Sequence, residues 1–300
     1  MDKKLTKDNT LNIFFVLDRN YIVPFSVTLT SIFENNKDLN IQVFVLHEMG
    51  QNDMLDLTCK FIKDKYNQKV ELINFEDKYF NDFFISEHIT KAGYFKLLLG
   101  KMIPETVTSG LYLDCDIVVV GSLKEFINLS FYDDNHKETS LFAVTDVRAD
   151  REIKRLNKVG ANLTSYFNTG VFYANLKKWR AEGMAEKMIE IGREYGKNLV
   201  YLDQDIMNIF FKNDKKELDA TYNKDAVIKY PKLPIILHYL GNSKPWHYVD
   251  NSPNKHLYRK YLKMTPFRNL KTENITLENI GRKYVRFFRQ KFSSGPDYTI

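Results

Sequence analysis

Residues 11–33 read LNIFFVLDRNYIVPFSVTLTSIF. The first seven form an almost unbroken apolar run, as a strand buried on both faces of a sheet requires. The polar triplet Asp18-Arg19-Asn20 ends that run, and residues 24–33 continue with helical spacing and a proline where a first turn tolerates one. Working outward, the alternation repeats: a strand at 41–46 (IQVFVL), a helix at 53–66, a strand at 70–75, helical spacing over 92–103 and a short strand at 111–113. This β-α-β-α-β rhythm predicts an α/β fold, a Rossmann-like, mostly parallel sheet with helices on both faces. Beyond about residue 140 the pattern is less regular, with strands expected at 141–145, 170–175 and 235–239 and helices at 181–195 and 204–211.

The chain has 300 residues, 44% of them hydrophobic, with 22 Phe, 18 Tyr and 2 Trp, which excludes a disordered protein. No apolar run nears the roughly 18 residues a membrane-spanning helix needs, and the N-terminus lacks the apolar core of a signal peptide. A cytoplasmic location is the expectation. Cys59 and Cys115 are too few for a disulfide scaffold and have no zinc-like spacing. Of the net charge of +6, five units lie in residues 279–294, which hold Arg282, Lys283, Arg286, Arg289 and Lys291 and no acid. The parse is therefore one α/β domain over 1–265 and a basic amphipathic segment over 266–300. No two of the 13 glycines stand two apart, so there is no dinucleotide fingerprint, and there is no Walker A, HExxH or GxSxG sequence.

What remains are four short constellations. In LYLDCDIVVV (111–120), Asp114 and Asp116 would share one face of an extended segment while Cys115 takes the other. Two adjacent carboxylates suit a divalent ion bridging to a diphosphate, though a solvated turn would also accept them. In ILHYLGNSKPW (236–246), His238 ends an apolar strand, Gly241 permits a tight turn and Lys244 follows. The pair reads either as a metal ligand with a phosphate-binding charge or as a core histidine with a surface lysine. In YLDQDIMN (201–208), Asp203 and Asp205 flank Gln204 at a helix start, where capping accounts for one acid more readily than for two. Asn168-Thr169-Gly170 leads into the strand VFYANL and could be a simple turn. Asp18 and Asn20 could be turn formers too, yet they stand at the carboxyl end of the first strand, where open α/β sheets bind ligands.

Taken in order, LYLDCDIVVVGSL, FNTGVFYANLKKWR, YLDQDIMN and HYLGNSKPW resemble the retaining glycosyltransferases of family 8, from about residue 12 to residue 246. The resemblance implies a GT-A fold, a UDP-galactose or UDP-glucose donor and a Mn²⁺ or Mg²⁺ cofactor. It implies Asp114, Asp116 and His238 as metal ligands, and Lys244, with Gly241 in its loop, at the diphosphate. Asp18, Asn20 and Tyr21 fall at the nucleoside, and Asn168, Asp203 and Gln204 around the donor sugar, with Gln204 near the anomeric carbon. Lys96 stands where the family usually has arginine and so lacks its bidentate fork, and Thr169 stands where a smaller residue is common.

The function expected is transfer of a hexose to a glycan, glycolipid or glycoprotein acceptor, with a non-catalytic binding or scaffold subunit of the same fold as the alternative. On a helix, Ile280, Tyr284, Phe287 and Phe288 would line one stripe and Arg282, Arg286 and Arg289 the other, which suits docking on an anionic membrane surface at the inner face of the cell membrane. Nucleic-acid binding is not expected, because the positive charge is confined to this one segment.

Overall fold

The computed structural model describes residues 10–271 apart from 77, 84–90 and 242, together with 273, 275, 276 and 279. The opening apolar run is β1 (Thr10–Val16), and a single 3-10 turn (Arg19–Tyr21) leads into α1 (Ile22–Asn35). There follow β2 (Asn40–His47), α2 (Asp53–Tyr66) and β3 (Val70–Asn74), a 3-10 stretch (Lys91–Leu98) running into the short α3 (Leu99–Met102), and β4 (Gly110–Leu113). The second half holds β5 (Ile117–Val119), β6 (Leu141–Thr145), α4 (Ala149–Asn157), β7 (Phe167–Ala174), α5 (Leu176–Ala181), α6 (Met184–Tyr195) and α7 (Leu202–Phe210). It ends with β8 (Lys215–Glu217), β9 (Lys224–Asp225), β10 (Ile236–His238) and α8 (Lys255–Leu262).

Seven strands form the main sheet in the order β3-β2-β1-β4-β7-β6-β8, and β5-β10-β9 form a small second sheet. Strands β1 to β4 run parallel, and only β7 opposes its neighbours β4 and β6. The chain moves outward from β1 through β2 to β3, then returns to place β4 on the other side of β1. That reversal opens a crevice beyond the carboxyl ends of β1 and β4. The apolar run of β1 is explained by burial on both sides. Ile13 and Phe15 join the core beneath α1 and α2, while Phe14 packs with Phe44 and Tyr112 in the core beneath α5, α6 and α7.

Local chemistry sets the boundaries. Asn52 caps α2, its side-chain oxygen accepting from the backbone N–H of Met54 and Leu55. The helix expected over 181–195 is α6, starting three residues later: the short α5, which was not expected, stops at Ala181, and Gly183, at φ +59°, turns the chain before α6 starts. The Arg180 guanidinium anchors that stop by donating to the carbonyls of Gly100, Ile103, Pro104 and Val107. Residues 91–98 are wound as a 3-10 stretch rather than the α-helix expected, because six of the eight are buried and packing on several sides overrides a one-faced helical period.

Helix α1 carries an unexpected buried polar seam. The Thr28 hydroxyl lies 2.8 and 2.7 Å from the carbonyl oxygens of Cys115 and Ile117, and Ser31 Oγ accepts from the N–H of Val119 at 2.9 Å. Asn35 donates to the Val119 carbonyl and Asn36 accepts from the N–H of Leu123. The seam thus supplies hydrogen bonds to the backbone on the far side of Asp114 and Asp116, where the chain leaves one sheet for the other.

Close packing of the sheet is also testable. A methyl group on Gly110 would lie 2.8 Å from the Asn12 carbonyl oxygen and press into the Phe14 ring. Gly110→Ala should cost about 1–3 kcal/mol, read as a lower urea midpoint, and an unchanged midpoint would contradict this packing. Among the described residues no helix is long and apolar enough to cross a membrane. Cys59 and Cys115 are both free thiols. The basic segment 279–294, including Ile280, Arg282, Tyr284, Arg286, Phe287, Phe288 and Arg289, lies outside the described residues apart from Asn279.

Candidate active site

The crevice at the β1–β4 reversal is a cavity of about 210 Å³ lined by Asp18, Tyr21, Lys96, Tyr112, Asp114, Asp116 and Asp203, among others. Asp114 and Asp116 share one side of the chain, as their spacing suggested, although no strand runs through them. The strand ends before Asp114, and a bend at Cys115 and Asp116 carries the chain from the main sheet to the small one. The bend follows from its anchors: the Asp114 N–H still donates to Gly170 across the β4–β7 ladder, and the Cys115 and Ile117 carbonyls are already held by Thr28. Cys115 points away into the core, while both carboxylates face the crevice.

His238 arrives from the end of β10, and one ligand atom each from Asp114, Asp116 and His238 lie within 4.8 Å of one another. Its Nε2 is 3.2 Å from Asp116 Oδ1 and 3.8 Å from Asp114 Oδ2. Two carboxylates and an imidazole, two of the three residues buried, form a donor set that fits a divalent ion such as Mn²⁺ or Mg²⁺. Gly170 makes room for it, since a Cβ there would lie 2.8 Å from Asp114 Oδ2 and 2.9 Å from His238 Nδ1.

Two lysines balance the acids. Lys244 is not a surface residue: its Nζ lies 2.6 Å from Asp116 Oδ2 and donates to the Tyr239 carbonyl at 2.7 Å. Burial alone would raise the Asp116 carboxyl, but the charges of Lys244 and His238 outweigh it and hold the group well below the usual carboxylate range. Lys96 Nζ lies 3.2 Å from Asp114 and 3.0 Å from Asp203, over the Tyr112 ring at 4.7 Å. Burial works against its charge, yet the two carboxylates win and raise it above the ordinary lysine range. Tyr112 also donates to Asp114 at 2.8 Å.

The remaining sequence candidates divide between this cavity and its surroundings. Asp18 accepts from the N–H of Asn20 at the first 3-10 turn, and Tyr21 meets Trp246 edge-on at 5.7 Å. Asn20 and Gly241 line an adjoining groove with Lys244, joined to the cavity through Tyr21, and Gly241 has φ +78° as its tight turn requires. Asn168, Thr169 and Gly170 form no turn before a strand but lie within β7, fixed by hydrogen bonds to α7. Nor do both acids of 201–208 cap a helix. Asp205 accepts from the N–H of Val200 and Tyr201, whereas Asp203 turns to Lys96 and to the Thr169 hydroxyl at 3.0 Å. Gln204 Oε1 accepts from Asn168 Nδ2 and the Thr169 N–H, and its Nε2 faces Asp146 Oδ2 at 3.3 Å.

Three residues that the motifs do not single out take part: Asp146, Asn223 and Tyr112. Asp146 directly follows β6 as Asp114 follows β4, a placement visible in TDVRAD; Asn223 sits in an irregular stretch with no such mark.

Comparison with known proteins agrees with this geometry. The family described as Glycosyl transferase family 8 matches residues 12–250. A lipopolysaccharide 1,2-glucosyltransferase of Escherichia coli is 27% identical, the alignment covering 97% of this chain and 90% of the relative. A lipopolysaccharide 1,3-galactosyltransferase of Salmonella typhimurium is 25% identical over 96% of this chain and 89% of its own. In fold, the chain is similar to the crystal structure of the galactosyltransferase LgtC in complex with donor and acceptor sugar analogues, with a TM-score of 0.74, 24% identity, and coverage of 91% of this chain and 100% of that one. The family match spans both sheets, the crevice between β1 and β4 and the acid–acid–histidine cluster, and the chain therefore belongs to glycosyl transferase family 8, as a glycosyltransferase of GT-A fold.

Proposed function

We propose that the enzyme is a retaining hexosyltransferase that moves glucose or galactose from UDP-glucose or UDP-galactose to a saccharide acceptor, with Mn²⁺ or Mg²⁺ held by Asp114, Asp116 and His238. The observation that carries this reading is the convergence of those three ligand atoms beside a cavity that the two carboxylates line and that reaches from Tyr21 to Asp203. Asp114, Asp116 and His238 would hold the ion, which would supply positive charge to a diphosphate leaving group.

Asp18, Asn20 and Tyr21 receive the nucleoside at the end of β1, with Trp246 bracing the Tyr21 ring. Lys244 exchanges its contact with Asp116 for the diphosphate, placing a fixed positive charge where negative charge develops. Lys96 keeps Asp114 and Asp203 in place as a point charge, the role left to it without an arginine fork. Asn168, Asp203 and Gln204 surround the sugar. Neither side chain near the anomeric carbon is free to attack: Asp203 is committed to Lys96 and Thr169, and the neutral Gln204 oxygen already accepts two hydrogen bonds. Displacement on the leaving-group face accommodates this. The acceptor oxygen bonds to the anomeric carbon as the bond from that carbon to the phosphate oxygen breaks, and the phosphate oxygen takes the acceptor's proton.

The relatives' names, with lipopolysaccharide glucosyl- and galactosyltransfer among them, support a glycan acceptor, lipid-linked rather than protein-linked. Residues 279–294 are then the stretch that brings the enzyme to an anionic membrane, on the strength of the charge run alone, whereas Phe267, at the start of the C-terminal segment, is buried in the body of the enzyme.

The test is turnover of UDP-glucose and UDP-galactose, with Mn²⁺ and after EDTA, with NMR of the anomeric proton of the product. One of the two donors should turn over only with the ion and give an α linkage. A β linkage would overturn retention, and full activity after EDTA would overturn the metal.

A further inference from the structure

The imidazole of His238 has two nitrogens, and only one can face an ion. Which one does so is decided three side chains away. Asp146 Oδ2 can only accept, so Asn168 must present its Nδ2 there, at 3.0 Å. Asn168 Oδ1 then accepts from the Gly170 N–H at 3.0 Å and from Asn223 Nδ2 at 2.8 Å. Asn223 is thereby left with Oδ1 toward His238 Nδ1, 3.0 Å away, and that nitrogen must carry the proton. Nε2 is consequently the nitrogen on the side of Asp114 and Asp116, and the one left to meet an ion there. Asn168, Asn223 and His238 are all at least nine-tenths buried, so bulk water does not take over a missing link.

We propose that Asn223 is a positioning residue of the metal centre, holding His238 in the Nδ1–H tautomer so that Nε2 is turned to the ion, with the polarity of the chain fixed through Asn168 by Asp146. The proposal rests on the metal site of the preceding reading. It assigns a role to a side chain that touches neither the ion nor the donor, and one that sits between the sugar side of the pocket and its metal side. A histidine ligand needs such an outer partner to fix its tautomer and ring orientation.

The experiment is Mn²⁺ binding by the full chain with saturating UDP, followed as loss of the free Mn²⁺ electron paramagnetic resonance signal. Asn223→Ala should weaken Mn²⁺ about 10–100-fold. Asn223→Asp, which keeps an acceptor for the Nδ1 proton but gives up the hydrogen bond to Asn168 Oδ1, should bind Mn²⁺ more tightly than Asn223→Ala. In a His238→Ala background Asn223→Ala should change nothing further, because the residue acts through the ring. Asn223→Leu, bulky but without an acceptor, is run beside the alanine variant in case that one does not fold, and the same loss is expected of it. Undiminished affinity in the folded alanine or leucine variant overturns the proposal, as does a full-sized effect without His238. If wild type itself binds no Mn²⁺, the metal reading falls and the proposal with it, whereas tight wild-type binding insensitive to Asn223 removes this proposal alone.

Discussion

Asp116→Asn is expected to remove nearly all transfer, lowering kcat/KM on the order of 10³-fold, or about 4 kcal/mol. Both oxygens of this carboxylate are committed, Oδ1 toward His238 at 3.2 Å and Oδ2 to Lys244 at 2.6 Å, and the residue is buried. Asparagine keeps the shape and one oxygen but loses the charge. The ion then loses a ligand charge, and Lys244 loses the group that holds it ready for the diphosphate, although its hydrogen bond to the Tyr239 carbonyl survives. Asp114, more exposed and shared with Lys96 and Tyr112, does not replace it. Rate and Mn²⁺ affinity should fall together while the far-ultraviolet circular dichroism is unchanged. A variant that retains both near wild-type values would refute Asp116 as a ligand.

Gly170→Ala should be nearly as severe, though nothing reactive is deleted. The new methyl would lie 2.8 Å from Asp114 Oδ2 and 2.9 Å from His238 Nδ1, and closer still to His238 Cε1. The backbone has little room to retreat, because β7 is held between β4 and β6 and Gly170 itself accepts from the Asp114 N–H. The imidazole must therefore rotate, and in doing so it gives up Asn223. Mn²⁺ affinity should drop at least about tenfold, and overpacking should cost about 1–3 kcal/mol. Gly110→Ala is the control, with a comparable loss of stability at a site away from the ligands and Mn²⁺ affinity unchanged. Equal Mn²⁺ affinity in Gly170→Ala and wild type would show that the glycine is not there to make room for the cluster.

Where one pattern dominated, the sequence could be read directly. The runs at 11–17 and 41–46 are strands whose burial leaves an apolar trace, the half-exposed edge strand at 70–74 repeats their spacing, and the order of four motifs carried the family. The acids and histidine of the candidate site were legible because strand ends with unexplained charge are conspicuous. Other features leave no periodic trace. The 3-10 winding of 91–98 is a product of packing, the break at Gly183 rests on one glycine, and Asn223 is a lone polar residue whose partner is 15 positions away. Asp203 and Asp205 illustrate the limit: two acids two residues apart, one spent on the start of its own helix and the other on the crevice, a division that only the fold makes.

The hydroxyls and amides of α1 turn a common engineering rule around. Thr28, Ser31 and Asn36 are buried, and a designer seeking a tougher protein would be drawn to replace them with alanine, valine or leucine. Each such change strands a backbone group between residues 115 and 123 that has no water to turn to, at about 1–3 kcal/mol apiece. It also slackens the loop that aims Asp114 and Asp116. Greasing this helix would therefore trade away activity first, from a position that contributes no side chain to the reaction, and a library intended to harden the enzyme should leave the inner face of α1 alone.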